Sequence, residues 1–126
     1  MRWYRGSAAV AAAFIALPVL ADENIDASMR KLAADRRCVI CHSVESEKTG
    51  AGAGRPLGPA WQDVARKYAG DPDARRKLVN TVLHGSSPFN SHWEGKISGY
   101  AMPPNSLDIT EAEANKLVVW ILALPH

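Results

Sequence analysis

The pentapeptide Cys38-Val39-Ile40-Cys41-His42 constrains this chain more than any other feature of its sequence. A Cys-x-x-Cys-His run is the attachment signature of a covalent c-type haem. The two thiols are spaced to form thioethers with the haem vinyl groups, and His42 is placed to ligate the iron from one face. The motif therefore predicts one covalently attached haem c, around which the chain must fold. The second axial ligand then decides between electron transfer and ligand binding.

Residues 1–21 have the features of a secretory signal peptide. Two arginines precede an almost wholly apolar stretch, residues 8–20, and the small residue Ala21 follows it at the expected cleavage position. The apolar run is too short and wrongly flanked for a membrane span. The sequence therefore predicts export to the periplasm, cleavage after Ala21, no stable membrane insertion, and a single domain over residues 22–126.

Charge and cysteine content exclude several classes of function. The chain has 15 Lys and Arg against 13 Asp and Glu, and two of the arginines lie in the predicted signal peptide, so the mature chain is close to neutral. The sequence contains no dense basic stripe with interleaved aromatic residues, so nucleic-acid binding is not predicted. Both cysteines lie in the pentapeptide, which leaves no second pair for a four-ligand zinc site. A thioredoxin-like dithiol would need a strand–helix context, whereas the surroundings are helical.

The apolar periodicity predicts an all-α domain of about four helices, with the first and last packed together. The first helix covers Ile25 to Arg37, with Ile25, Met29, Leu32 and Ala33 on one face. The predicted second helix is Trp61 to Tyr68. The third is opened by Asp71-Pro72, with the proline at its first position, and stops at Gly85. The last begins with a Thr110–Glu113 capping box.

Two glycine- and proline-containing stretches, Glu45 to Gly58 and Gly85 to Leu107, are predicted to be irregular. Wrapping a flat cofactor gives such long irregular segments a purpose in a small domain. A haem also supplies apolar area that a chain of this length has difficulty burying from its own side chains.

The mature chain offers five candidates for the second iron ligand, namely Met29, His84, Met102, His92 and His126. Four of them have a simpler role. Met29 fits a core residue, His84 a residue at a helix end, His92 a surface residue and His126 a terminal residue. Met102 is favoured because two prolines directly after it stiffen the backbone that must hold a weak thioether ligand. His92 or an open site remains the alternative.

Several motifs together resemble the short bacterial class I cytochromes c over essentially the whole mature chain. The motifs are Cys38-Val39-Ile40-Cys41-His42, Gly58-Pro59-Ala60-Trp61, Trp93 and Met102-Pro103-Pro104-Asn105. The resemblance implies the class I cytochrome c fold around one haem, with His42 and Met102 as the axial ligands. It also implies contacts for three further residues. The Pro59 carbonyl accepts a hydrogen bond from the ligand imidazole, Trp93 lies near a haem propionate, and Asn105 lies near the ligand methionine.

A haem with both axial positions filled has no place for substrate, so the predicted function is single-electron transfer between periplasmic redox proteins. The partners would be a dehydrogenase, a reductase or an oxidase, and the chain would be a carrier and not itself an enzyme. Three alternatives remain: a gas-binding or peroxidatic haem, a thiol-redox protein, and the haem subunit of a periplasmic dehydrogenase resembling heterodimeric sulfite dehydrogenases. The chain would therefore be a monomer or a heterodimer subunit.

Basic residues surround the approach to the haem motif, and the loop that follows it is longer than in the shortest members of that family. Arg30, Lys31, Arg36 and Arg37 form the basic group. One hypothesis is that this group steers an acidic partner towards the haem. Such runs are more often solvated faces, and that interpretation remains the alternative.

Overall fold

The computed structural model describes residues 19–46 and 54–126. Almost all of the predicted signal peptide and the centre of the 45–58 loop lie outside the described residues. The described part contains four α-helices and one short 3-10 helix, and no strand. These elements are α1 (Val19–Asp35), the 3-10 helix (Cys38–Ile40), α2 (Trp61–Tyr68), α3 (Ala74–His84) and α4 (Glu111–Leu122). The all-α prediction is confirmed, and none of these helices is long and apolar enough to cross a membrane.

Helix α4 is the centre of the fold, and α1, α2 and α3 all pack against it. Its start is fixed by the predicted capping box. The Thr110 hydroxyl accepts the Glu113 backbone N–H, while the Glu113 carboxylate accepts the Thr110 backbone N–H at 3.0 Å. An N-terminal cap of this kind is worth about 1 kcal/mol. The helix then buries Ala114, Leu117, Val118, Trp120 and Ile121.

The first and last helices pack together, as predicted. Ala33 is fully buried, and Met29 is half-buried against the same core. Ile25, however, is 54% exposed, so its predicted place on the buried face is wrong. At this level of α1 it is Asp26 that meets α4, because its carboxylate accepts the indole N–H of Trp120 at 3.1 Å.

Three helix boundaries differ from the sequence prediction. Helix α1 begins at Val19, six residues before the predicted Ile25. The other two differences have local reasons. Helix α1 ends at Asp35 and not at Arg37, because Arg37 adopts the left-handed region with φ 60° and ψ 17°. A residue in that conformation ends a right-handed helix, and it is most often glycine. Helix α3 begins at Ala74, three residues beyond Asp71, because the Asp71 carboxylate accepts the Asp73 N–H and forms a separate turn.

Helix α2 has the predicted bounds, and its predicted stripe is confirmed. Trp61, Val64 and Ala65 are buried, and Tyr68 is half-buried against the core. Residues 85–107 contain no helix, as the glycines and prolines of that segment predict. This irregular segment and α2 both contribute to the wall of the cavity described next.

Candidate haem-binding site

A cavity of about 570 Å3 lies between the haem motif, the helices and the irregular segment 85–107. Its volume is in the range typical of small-molecule and cofactor sites. Both cysteines and His42 of the pentapeptide line it, and so does Met102, 60 positions further along the chain. Apolar side chains form much of the remaining wall, among them Leu78, Val82, Leu117, Val118 and Ile121.

The 3-10 helix places the two cysteines for reaction with one flat partner. Because a 3-10 helix has three residues per turn, side chains at positions i and i+3 lie on the same side. Cys38, its first residue, and Cys41, directly after it, have this spacing. Burial raises the pKa of the Cys38 thiol, whereas catalytic redox cysteines have a lowered pKa. This environment disfavours the thiol-redox alternative.

The His42 ring is held in the form that a metal ligand requires. Its Nδ1 lies 2.7 Å from the Pro59 carbonyl oxygen, which can only accept a hydrogen bond. The proton therefore resides on Nδ1, and the lone pair of Nε2 is free for ligation. Burial lowers the pKa of His42, and the hydrogen bond to Pro59 acts in the opposite direction. The net lowering favours the neutral imidazole.

Gly58 and Trp61 both lie against the His42 ring. A Cβ atom on Gly58 would lie 2.9 Å from His42 Cε1 and 3.0 Å from the Cys41 carbonyl oxygen, so only glycine allows this approach without displacement. Trp61 stacks on the ring, with centroids 5.7 Å apart and planes inclined by 19°. Trp120 in turn meets Trp61 edge to face at 5.6 Å. The sequence analysis placed Trp61 on a helix stripe and in one of the family motifs, but it did not predict the contact with His42.

The backbone of Met102 is fixed on both sides by one residue, Ser86. The Met102 N–H donates to Ser86 Oγ at 2.9 Å, and the Ser86 N–H donates to the Met102 carbonyl oxygen at 3.0 Å. Asn105 secures the following turn, since its side-chain amide donates to the carbonyl oxygens of Pro103 at 2.7 Å and Val82 at 3.1 Å. Asn105 thus joins the methionine segment to the end of α3.

Gly85 makes the close contact between Ser86 and Met102 possible. Its φ of 83° and ψ of 177° lie in a region that essentially only glycine adopts. A Cβ atom there would also lie 2.8 Å from the Met102 carbonyl oxygen. The sequence identified Gly85 only as a helix stop and missed Ser86, because a serine after such a glycine carries no signal of its distant partner.

Of the five candidate second ligands, Met102 and His92 line the cavity, whereas Met29, His84 and His126 do not. The Nε2 atom of His92 is already engaged, since it lies 3.2 Å from the Lys96 ammonium. The His92 ring also contacts Trp93 edge to face, at 4.7 Å between centroids. Trp93 is half-buried and forms part of the cavity wall.

Comparison with known proteins identifies the family. The sequence profile of cytochrome c matches residues 29–125. The chain belongs to the cytochrome c family. The relatives include cytochrome c-552 of Hydrogenobacter thermophilus, 32% identical over 88% of this chain and 96% of the relative. Cytochrome c-551 of Allochromatium vinosum is 39% identical over 74% of this chain and 82% of the relative.

Solved structures give the same result for the fold. The crystal structure of Nitrosomonas europaea cytochrome c552 has 34% sequence identity and a TM-score of 0.59, and the match covers 76% of this chain and 99% of that one. The class 1 cytochrome MtoD of Sideroxydans lithotrophicus matches at 24% identity with a TM-score of 0.56, which supports the fold. The chain is therefore a short bacterial monohaem cytochrome c with the class I fold.

The residues present fit the cofactor of this family. The cavity has the volume and apolar wall that a haem needs, the two thiols lie on one side of the 3-10 helix, and His42 presents a free Nε2. This cytochrome c carries one haem c attached through Cys38 and Cys41. Its activity is haem-based electron transfer to and from partner redox proteins.

Proposed function

We propose that this cytochrome c is a periplasmic single-electron carrier in which His42 and Met102 are the two axial ligands of the haem iron. The observation that carries the proposal is the composition of the cavity wall. Besides His42, it contains two of the five candidate second ligands, Met102 and His92, and the Nε2 atom of His92 lies 3.2 Å from the Lys96 ammonium. By contrast, the backbone at Met102 is held by a hydrogen bond from its N–H to Ser86 Oγ.

When bound, the haem supplies an iron that alternates between the ferric and ferrous states. The chain's contribution is to keep both axial positions filled by its own side chains, so that no substrate can reach the metal. Pro59 orients His42 and sets its donor strength, while Trp61 covers the ring. A thioether ligand opposite the imidazole raises the reduction potential relative to a second histidine. These features suit a carrier that works at a fairly positive potential.

Two further residues on the cavity wall have supporting roles in this proposal. The half-buried Trp93 offers an indole N–H, which needs a polar partner when covered, and a haem propionate would satisfy it. Asn105 keeps the methionine turn on the end of α3 through its bonds to Pro103 and Val82. Both residues would therefore act on the haem or its ligand without taking part in ligation.

Export is part of the same proposal. Residues 1–21 would direct the chain to the periplasm and be removed, leaving a protein that begins at Asp22 and covers 22–126. The intact mass and N-terminal sequence of the protein recovered from the periplasmic fraction test this step. Recovery of an uncleaved chain from the cytoplasm would contradict it.

Met102→Ala is the decisive variant for the ligand assignment. The ferric protein should lose its long-wavelength methionine-to-iron absorption band, and added imidazole should then bind the iron without competition. His92→Ala and Met29→Leu are the matched controls, and both should keep the band. A band that survives in Met102→Ala, or that disappears in His92→Ala, would refute the assignment.

A second candidate is that the chain serves as the haem subunit of a periplasmic dehydrogenase. It is favoured by exposed apolar side chains, since Leu107 is 99% exposed and Val39, inside the haem motif, is 50% exposed. Purification of the holoprotein from its own cells separates the two functions. A free carrier migrates as a monomer, whereas a subunit co-purifies with a larger enzyme at a fixed stoichiometry.

A further inference from the structure

An acidic residue on α1 is linked to His42, the proposed iron ligand, by a continuous line of contacts. Trp61 is stacked on the His42 ring, with centroids 5.7 Å apart, and Trp120 meets Trp61 edge to face at 5.6 Å. The Trp120 indole N–H donates to Asp26 Oδ1 at 3.1 Å. Aromatic pairs and hydrogen bonds are both favourable only in certain relative orientations, so this line transmits a constraint on angle from α1 to the ligand.

Trp61 is the member of this line that touches His42, and its backbone is bonded to the same segment. Its N–H donates at 2.9 Å to the carbonyl oxygen of Ser43, the residue after His42. Pro59, whose carbonyl oxygen accepts the His42 Nδ1–H at 2.7 Å, lies two positions before Trp61. That hydrogen bond fixes one atom of the ring but leaves the ring plane some freedom to turn. The Trp61 indole lies against the ring face and limits this rotation.

Trp120 gives Trp61 a fixed support from α4. Both tryptophans are buried, with 4% of Trp61 and 8% of Trp120 exposed. A buried indole N–H is costly to leave without an acceptor, so the orientation of the Trp120 ring depends on the group that accepts it. Asp26 is that group. The edge that Trp120 presents to Trp61 is therefore set from α1.

Asp26 is itself held in the orientation that this bond requires. Its second oxygen, Oδ2, accepts the Arg30 Nε–H at 2.7 Å, and Arg30 also donates to Glu45 at 2.9 Å. Each oxygen of the Asp26 carboxylate thus serves a different donor. The packing of α1 gives no reason for an acid at this position, since the helix packs on the core through the apolar residues Met29, Leu32 and Ala33.

We infer that Asp26 is a positioning residue for His42, which acts through Trp120 and Trp61 to fix the angle of the imidazole plane about its bond to the iron. The inference rests on the proposed ligation by His42. Groups outside the ligand set tune a metal centre by fixing how its ligands are oriented. Because neither Asp26 nor Trp120 lines the haem cavity, this effect reaches the redox centre through the aromatic contacts and not by contact with the haem.

Two substitutions at Asp26 separate its role as a hydrogen-bond acceptor from its charge. Asp26→Ala removes both, whereas Asp26→Asn removes the charge and keeps a carbonyl oxygen that can accept the Trp120 N–H. Trp120→Phe removes the donor and keeps an aromatic ring against Trp61. The matched control is Asp35→Ala, which removes an acid of the same helix that bonds to Lys31 at 2.6 Å and lies outside this line of contacts.

Proton NMR of the ferric holoprotein measures the angle, because the hyperfine shifts of the haem methyl groups depend on the orientation of the axial imidazole plane. Asp26→Ala and Trp120→Phe should change the pattern of these shifts in the same sense, and Asp26→Asn and Asp35→Ala should keep the wild-type pattern. In the ferrous protein, the Trp120 indole N–H should exchange with solvent about 2- to 12-fold faster in Asp26→Ala, the factor that corresponds to one neutral hydrogen bond.

A purely structural role of Asp26 gives a different result. The melting temperature of Asp26→Ala would fall while its haem-methyl shifts stayed those of wild type, and that outcome would overturn the inference. Equal changes in Asp26→Asn and Asp26→Ala would also overturn it, because the charge would then be the cause. If Asp26→Ala gave no folded holoprotein, wild-type shifts in Trp120→Phe would overturn it. Absence from the wild-type spectrum of the shifted ring protons of a bound histidine would instead contradict ligation by His42, which is a distinct failure.

Discussion

The hydroxyl of Ser86 offers the sharpest test of how the methionine ligand is held. Ser86→Ala removes the acceptor of the Met102 N–H, at 2.9 Å, but keeps the reciprocal bond from the Ser86 N–H to the Met102 carbonyl oxygen. The substitution therefore removes one of the two hydrogen bonds between these residues. It alters neither Met102 nor the conformation that Gly85 provides.

The size of the effect follows from that single bond. A neutral hydrogen bond contributes about 0.5–1.5 kcal/mol net, because water replaces the lost partner at an exposed site. The equilibrium between the ligated and the displaced methionine should therefore shift by about 2- to 12-fold towards displacement. Global unfolding should change by no more than this amount, since Ser86 is exposed and lies outside the core.

Imidazole titration of the ferric holoprotein measures this equilibrium directly. Imidazole binds the iron only when Met102 has left, so the apparent affinity of Ser86→Ala should rise by the same factor of about 2 to 12. Ser86→Thr keeps the hydroxyl and should restore the wild-type value. Ser106→Ala is the control, because in the described structure this residue contributes only a backbone N–H bond, to Leu83. An affinity for Ser86→Ala equal to that of Ser106→Ala would refute the reasoning.

Two further predictions concern the other side of the cavity and the cap of α4. Gly58→Ala should displace the His42 ring or the backbone beneath it and destabilise the holoprotein by about 1–3 kcal/mol, visible as a lower melting temperature and a changed ferric haem spectrum. An unchanged spectrum would contradict the close contact. Arg36, with help from Thr110, lowers the pKa of Glu113 from 4.5 to about 2. The ionised Glu113 carboxylate therefore stabilises the folded protein fully above about pH 4.5, and this contribution is lost as the pH falls towards 2. The urea midpoints of wild type and Glu113→Gln should converge over that range. If the two urea midpoints differed by the same amount at every pH, the ionised Glu113 carboxylate would not be the cause of the difference.

The elements that the sequence predicted well are those with a local cause. The capping box of Thr110 and Glu113 depends on residues three apart, and the Trp61–Tyr68 helix on its own apolar stripe. The end of α1 was wrong because nothing in the sequence indicates that Arg37 adopts a left-handed conformation. Ser86 and the stacking of Trp61 on His42 were missed for a different reason. Each depends on pairs of residues brought together by the tertiary fold, and a single sequence contains no record of such pairs.

The two loops that face the haem cavity are joined to each other. The Ser98 N–H donates to the Pro56 carbonyl oxygen at 2.8 Å, and the Gly99 N–H donates to that of Leu57 at 3.0 Å. Residues 56–57 lie directly before the segment that positions His42, and residues 98–99 lie directly before the one that carries Met102. A movement on one side of the cavity therefore strains the other side, and the two must respond together. Under the proposed ligation by His42 and Met102, this coupling favours a small reorganisation energy, because a shift of one ligand segment displaces the other.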